Sequence, residues 1–137
     1  MTVTMPSTDH YEGTWAEATE TLGYGLMLAV ADPANEVEVR GPSGLKLLRV
    51  HSWPGGIEAV VVGGPQTLVM AGVGAAGQRE LSRLGWMGPT RDLALWRRSW
   101  GRTEPLGAVA RCILEALRGA FGADASSLTF DIVRSGL

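Results

Sequence analysis

Apolar residues recur at helical spacing near both ends of the chain and alternate with polar ones in between. Trp15, Ala18, Leu22, Leu26 and Ala29 follow at steps of three, four, four and three, which puts them on one stripe of a helix. Thr14 stands at its start with Glu17 three residues on, the reciprocal arrangement in which each side chain meets the other's backbone N–H. Asp32-Pro33 stops it near Ala31, because a residue before proline is driven out of the helical region. Gly23 and Gly25 each cost a helix interior about 1 kcal/mol, so a break there, with a strand from Leu26 to Val30, is the rival assignment. The period runs through both glycines and favours the helix.

The middle of the chain changes period. Glu36 to Arg40 alternates strictly and reads as a half-buried strand. Leu45 to His51 follows, with Leu48 and Val50 on one face and Leu47 and Arg49 on the other. Ile57 to Val62 is apolar on both faces except at Glu58, the mark of a central strand, and Gln66 to Ala71 is a fourth candidate. Gly41-Pro-Ser-Gly44, Trp53-Pro-Gly-Gly56 and Gly63-Gly-Pro65 separate them. Connections this short permit only antiparallel neighbours.

Ala75 to Leu84 reads as a short helix, with Gly85 in the left-handed position that ends it and Trp86 folding back on its last turn. A strand is expected around Leu93–Arg98. Thr103 then caps a long helix, with Glu104 and Pro105 in its first turn and an apolar stripe of Leu106, Val109, Ala110, Ile113, Leu117 and Phe121 ended by Gly122. Ser127 to Val133 alternates once more, as a last strand or an extended tail. The order predicts an α+β fold: an antiparallel meander with one N-terminal helix, one short middle helix and one long C-terminal helix, α-β-β-β-(β)-α-β-α. Residues 13–137 form one domain, preceded by a loose polar segment, 1–12. Leu81–Trp86 joins the meander to its covering helices.

Composition and charge narrow the function classes. Hydrophobic residues make up 45% and charged residues 19% of 137, as in a soluble globular domain. Residues 1–70 carry eight acids against three bases and residues 71–137 six acids against nine arginines, −5 and +3 within a net −2. That split is too mild for a nucleic-acid face. No leader-like segment opens the sequence, and its longest strictly apolar run, Leu26 to Ala31, is far short of a membrane span. A cytoplasmic protein is expected. Cys112 is a single cysteine on a predicted helix, placed to act as a small core residue.

Candidate chemistry is sparse. Gly72-Val-Gly-Ala-Ala-Gly77 is a literal dinucleotide-binding fingerprint between a predicted strand and a predicted helix, and Asp92 lies twenty residues beyond Gly72. Against it, Trp86-Met-Gly-Pro-Thr-Arg91 reads as a turn where the second strand should run, and a meander lacks the parallel pair such a unit needs. His10 and His51 have no partner ligand at metal spacing. Glu17, Glu20, Glu36 and Glu38 are spaced as solvent faces. No cofactor, metal site or catalytic set is expected. The five tryptophans carry more information: Trp15 belongs to the helical stripe, Trp53 sits in a turn, and Trp86, Trp96 and Trp100 gather at one helix-to-strand corner. An exposed one among them would be a partner anchor.

Leu81-x-x-Leu84-Gly85-Trp86, then Pro89, then Trp96, then a helix ending Leu117-Arg118-Gly119-Ala-Phe121-Gly122 with Leu128 after it resembles the YbjN-like group, related to the type III secretion chaperones and common in actinobacteria. Ile57-Glu58, a glycine-rich turn and Leu68 resemble the group's sheet segment, so the likeness spans about Trp15 to Leu128. The turn Gly63-Gly-Pro65 and the 72–77 loop depart from the group's pattern. The resemblance implies a non-enzymatic, homodimeric chaperone or adaptor that holds a client peptide on its sheet, with a link to secretion. Leu48, Val50, Trp53, Val61, Trp86 and Trp96 are the residues expected to meet the peptide. The alternative is a small nucleotide-binding protein using Gly72 to Gly77.

Overall fold

The computed structural model describes residues 2–4, 14–62, 68, 73–88 and 95–134. Strict alternation in the middle of the chain becomes β2 (Asn35–Arg40), β3 (Lys46–Trp53) and β4 (Gly56–Val61), joined by short turns. They continue to β5 (Arg97–Gly101), while β6 (Thr129–Arg134) and β1 (Thr2–Thr4) add on the far side of β2. The sheet runs β1-β6-β2-β3-β4-β5 and every pair is antiparallel. The helices are α1 (Trp15–Ala31), α2 (Ala75–Arg83) and α3 (Leu106–Gly119). This is the expected α+β architecture, with a helical layer on one face of an open sheet.

Register explains which face is covered. Val37 stands opposite Val50, and Val50 opposite Ala59; Val39 stands opposite Leu48, and Leu48 opposite Val61. Ile132 and Phe130 extend the same two rows on β6. All eight side chains are buried. They pack in one core with Leu22 and Leu26 of α1 and Ile113 and Leu117 of α3. The helical stripe read from the sequence is therefore the inner side of α1, which touches β2, β3, β6 and α3.

Local chemistry fixes where each helix ends. Thr14 accepts a hydrogen bond from the Glu17 N–H at 3.0 Å, and α1 continues unbroken through Gly23 and Gly25 to Ala31. At its end, side chains of the sheet donate to carbonyls of its last turn. Ser52 Oγ donates to the Ala29 carbonyl (2.8 Å) and Asn35 Nδ2 to the Leu28 carbonyl (3.0 Å). Arg134 binds Asn35 Oδ1 and Asp32 Oδ2, both at 2.9 Å, so the end of β6 holds the end of α1. Gly85 has φ +92. Its N–H donates to Ser82 at 3.1 Å, and the Trp86 N–H donates to Leu81 at 2.9 Å, the paired bonds of a left-handed helix stop.

Several expectations are narrowed or changed. Of the two readings of Ser127–Val133, the strand holds: β6 runs from Thr129 and has neighbours on both sides, β1 and β2. Of the strand expected at Leu93–Arg98, Leu93 and Ala94 lie outside the described residues, and the described strand begins at Arg97. Within Gln66–Ala71 only Leu68 is described, and its backbone is helical. Thr103 does not cap α3, whose N-cap is Pro105 with no side-chain bond. Thr2–Thr4, inside the segment expected to be loose, pairs with Asp131–Val133 as the sheet's short edge.

The α1–β6 clamp is pH-sensitive. The Ala34 N–H, and after it the Arg134 guanidinium, hold the Asp32 carboxyl below its usual value. A carboxylate depressed in the folded state stabilises above its unfolded pKa, about 3.9, and that stabilisation is lost as pH falls through the folded value. Thermal melts across this acid range will show a loss that is shallower in Asp32→Asn. Identical acid limbs would show that the clamp contributes nothing.

Candidate functional site

The sheet face away from the helices is charged and already paired within itself. Alternation puts Glu36, Glu38, Arg49, His51, Glu58, Arg97 and Asp131 there in cross-strand register. Arg40 and Lys46 each lie 3.3 Å from Glu38, Arg49 lies 3.3 Å from Glu36, and Arg40 lies 3.8 Å from Asp131. His51 is 3.5 Å from Glu58, which also accepts a hydrogen bond from Ser99. Glu38, expected on a solvent face, keeps only 3% of its side chain exposed, because its cationic partners close over it. A ligand lying flat on this face would have to replace those pairs.

The apolar opening lies at the end of the sheet. The end of α1, the β3–β4 hairpin and the passage from β5 into α3 enclose a pocket of about 660 Å³, the size of a small-molecule or side-chain site. Val30, Trp53, Ile57 and Leu106 give it apolar walls, and Arg102 and Glu104 stand among its lining. Both charged residues are exposed, and neither has an ion-pair partner among the described residues. Glycines shape the hairpin. A Cβ on Gly55 would fall 2.5 Å from the Trp53 ring, and one on Gly56 would fall 1.9 Å from the Trp100 carbonyl oxygen. The indole therefore lies across its own turn, and β4 approaches β5 closely at the pocket edge.

Two groups of exposed apolar residues meet here. Trp53 is 48% exposed, while Tyr24, Met27 and Val30 project from the outer side of α1. From Thr21 to Ala31 the helix carries no charged residue. A helix apolar all round needs a neighbour on every side, and among the described residues α1 has them on one side only.

Of the residues nominated from the sequence, Trp53 alone reaches the surface. Leu48, Val50 and Val61 have no exposed surface and lie on the helix-covered face. Trp86 and Trp96 are 3% and 6% exposed. They form the predicted aromatic corner, with the Trp86 and Trp100 rings edge to face at 6.3 Å. Arg98 lies over the Trp100 ring and donates to the Leu84 carbonyl at 2.6 Å. The nominated set thus divides into one exposed side chain and five that belong to the core. Sequence reasoning missed Val30, Ile57, Leu106 and Arg102. The uncharged run Thr21–Ala31 was the available signal for the first of them, whereas the others meet only through the tertiary turn at the sheet's end.

The glycine fingerprint has a packing explanation. A Cβ on Gly77 would sit 2.5 Å from the Ala120 carbonyl oxygen and 2.6 Å from Val73 Cγ1, so this glycine lets α2 approach the end of α3. Gly74 is the N-cap of α2. The described strands include no parallel pair, which a dinucleotide unit requires. Cys112 is half-buried against the core. Among the described residues no cluster of three or more His, Cys, Asp or Glu could hold a metal, and no helix is long and apolar enough to cross a membrane. Gly77→Ala will lower stability by about 1–3 kcal/mol, as overpacking does, measured by urea unfolding. Dinucleotides will shift the melting temperature of neither form. A shift in the native protein that Gly77→Ala abolishes would restore the cofactor assignment.

Comparison with protein families matches the chain to the model described as "T3SS (YopN, CesT) and YbjN peptide-binding chaperone 3", over residues 8–131. No curated protein and no solved structure matches the chain. The match covers the three helices and strands β2 to β5 together, including the Leu81–Trp86 stop that resembled this group, and the chain belongs to the YbjN and type III secretion peptide-binding chaperone family.

Proposed function

We propose that this protein is a non-enzymatic, cytoplasmic chaperone or adaptor that holds an extended segment of a client protein, and that its clients are linked to secretion. Membership of a peptide-binding chaperone family supports the general role. The observation that carries the site is Trp53, the nominated anchor with half its surface open, beside an apolar pocket. Large amphipathic rings at the margin of a pocket supply much of the affinity in protein interfaces. The client therefore engages the hairpin end of the sheet, while Leu48, Val50 and Val61 anchor the same two strands in the core.

We also propose a homodimer built on the outer side of α1, where Tyr24 and Met27 lie exposed on an uncharged stretch. Light scattering at micromolar protein will give twice the chain mass, and a monomer across that range would remove this part of the proposal.

Trp53 also supplies the test. It is the most exposed tryptophan, so client binding will shift its fluorescence to the blue, and Trp53→Phe will lose that response. Trp53→Ala will weaken a co-expressed client by about tenfold or more, the loss expected for a buried aromatic anchor, with an unchanged circular dichroism spectrum. A client retained at full affinity by folded Trp53→Ala would place its site elsewhere.

A further inference from the structure

The pocket borders a piece of sheet edge with unpaired backbone groups. The Val61 N–H donates to the Trp96 carbonyl. In the antiparallel register of β4 and β5, the backbone groups of residues 98 and 100 therefore also face β4, and those of 97, 99 and 101 face outward. Arg97 exchanges both outward bonds with Met87, at 2.8 and 3.0 Å, and the Gly101 carbonyl accepts from the Glu104 N–H at 3.2 Å. That leaves the Ser99 N–H, the Ser99 carbonyl and the Gly101 N–H without a backbone partner among the described residues. Gly101 also lines the pocket, and a Cβ built on it would meet nothing within 4 Å. The edge therefore meets the pocket at Gly101.

We infer that the pocket is a socket for one bulky apolar side chain of an extended peptide, which adds as a strand beside Ser99–Gly101 and carries polar residues of both charge signs around its anchor. This rests on the chaperone role proposed above and specifies its ligand. Three features select that chemistry. The edge offers donor, acceptor, donor in strand spacing, which a peptide backbone matches and an alkyl chain does not. The walls are apolar, through Val30, Trp53, Ile57 and Leu106. The free charges, Arg102 and Glu104, are of opposite sign, so they favour flanking residues of a peptide over the single negative headgroup of a fatty acid.

Fluorescein-labelled peptides of alternating Thr and Val around one central position test this against the full-length protein. The central residue is Phe, Ala or Glu, and a further Phe peptide is N-methylated at alternate residues to remove its edge donors. Decanoate serves as the competing amphiphile. Phe will bind about tenfold tighter than Ala, the worth of burying an aromatic side chain, and Glu will bind more weakly still. N-methylation will cost a similar factor. Val30→Lys, at an exposed site in the last turn of α1 that tolerates a cation, will erase the Phe preference without lowering the melting temperature; Leu106→Ala, which also removes packing against the core, will erase it at a lower melting temperature. Equal binding of Phe, Ala and Glu overturns the socket. Tolerance of N-methylation together with full displacement by decanoate overturns the peptide assignment in favour of an amphiphile site. A protein that still holds its client without a Phe preference sinks this inference alone, while one that binds neither client nor peptide sinks the chaperone role with it.

Discussion

The structure depends on α1 seated across one face of the sheet. Its inner residues, Ala18, Leu22, Leu26 and Ala29, meet the rows Val37–Val50 and Val39–Leu48, and nearly all of that apolar surface is removed from water. Burial of this kind is non-directional and would not by itself fix where the helix stops. Directional bonds at its end do so: Ser52 to Ala29, Asn35 to Leu28, and Arg134 to both Asn35 and Asp32. They join residues from β2, β3 and β6 to a single helical turn, so α1 and the sheet behave as one body at that end.

That seating determines where a ligand can be held. The helix face is spent on the core, and the opposite face is spent on ion pairs around Glu38, Glu36 and Glu58. What stays open is the margin where α1 ends and the β3–β4 hairpin passes it. There Val30, Trp53, Ile57 and Leu106 surround a pocket that no residue of the described chain fills. The outer side of α1 is uncharged for the same stretch, so the exposed apolar surface runs from Tyr24 to the pocket.

Much of the architecture was legible in the sequence because periodicity reports burial directly. The helical stripe from Trp15, the alternation at Glu36–Arg40 and the stop at Gly85 all translate into the observed elements. The position of β6 was not legible, because pairing between Val37 and Ile132 is non-local and alternation carries no information about the partner strand. The burial of Glu38 was hidden for a related reason: its cationic cover comes from Arg40 and from Lys46 across the strand. The tryptophans show the limit most clearly. All five are plausible anchors by residue type, yet the close packing of Trp86 and Trp100 and the lone exposure of Trp53 follow from tertiary placement. The glycine fingerprint misled because its spacing also suits a close helix crossing, as Gly77 against Ala120 demonstrates.

Hydrogen exchange read by mass spectrometry, on the free protein and on its complex with a client, bears most directly on the claim that ligands are held at the end of the sheet. Amides from Ser99 to Leu106 and around Trp53–Ile57 should gain protection in the complex, while β2 and β6 remain as they were. A client that binds without slowing exchange at Ser99 and Gly101, or that protects only the charged strands from Glu36 to His51, would contradict this account.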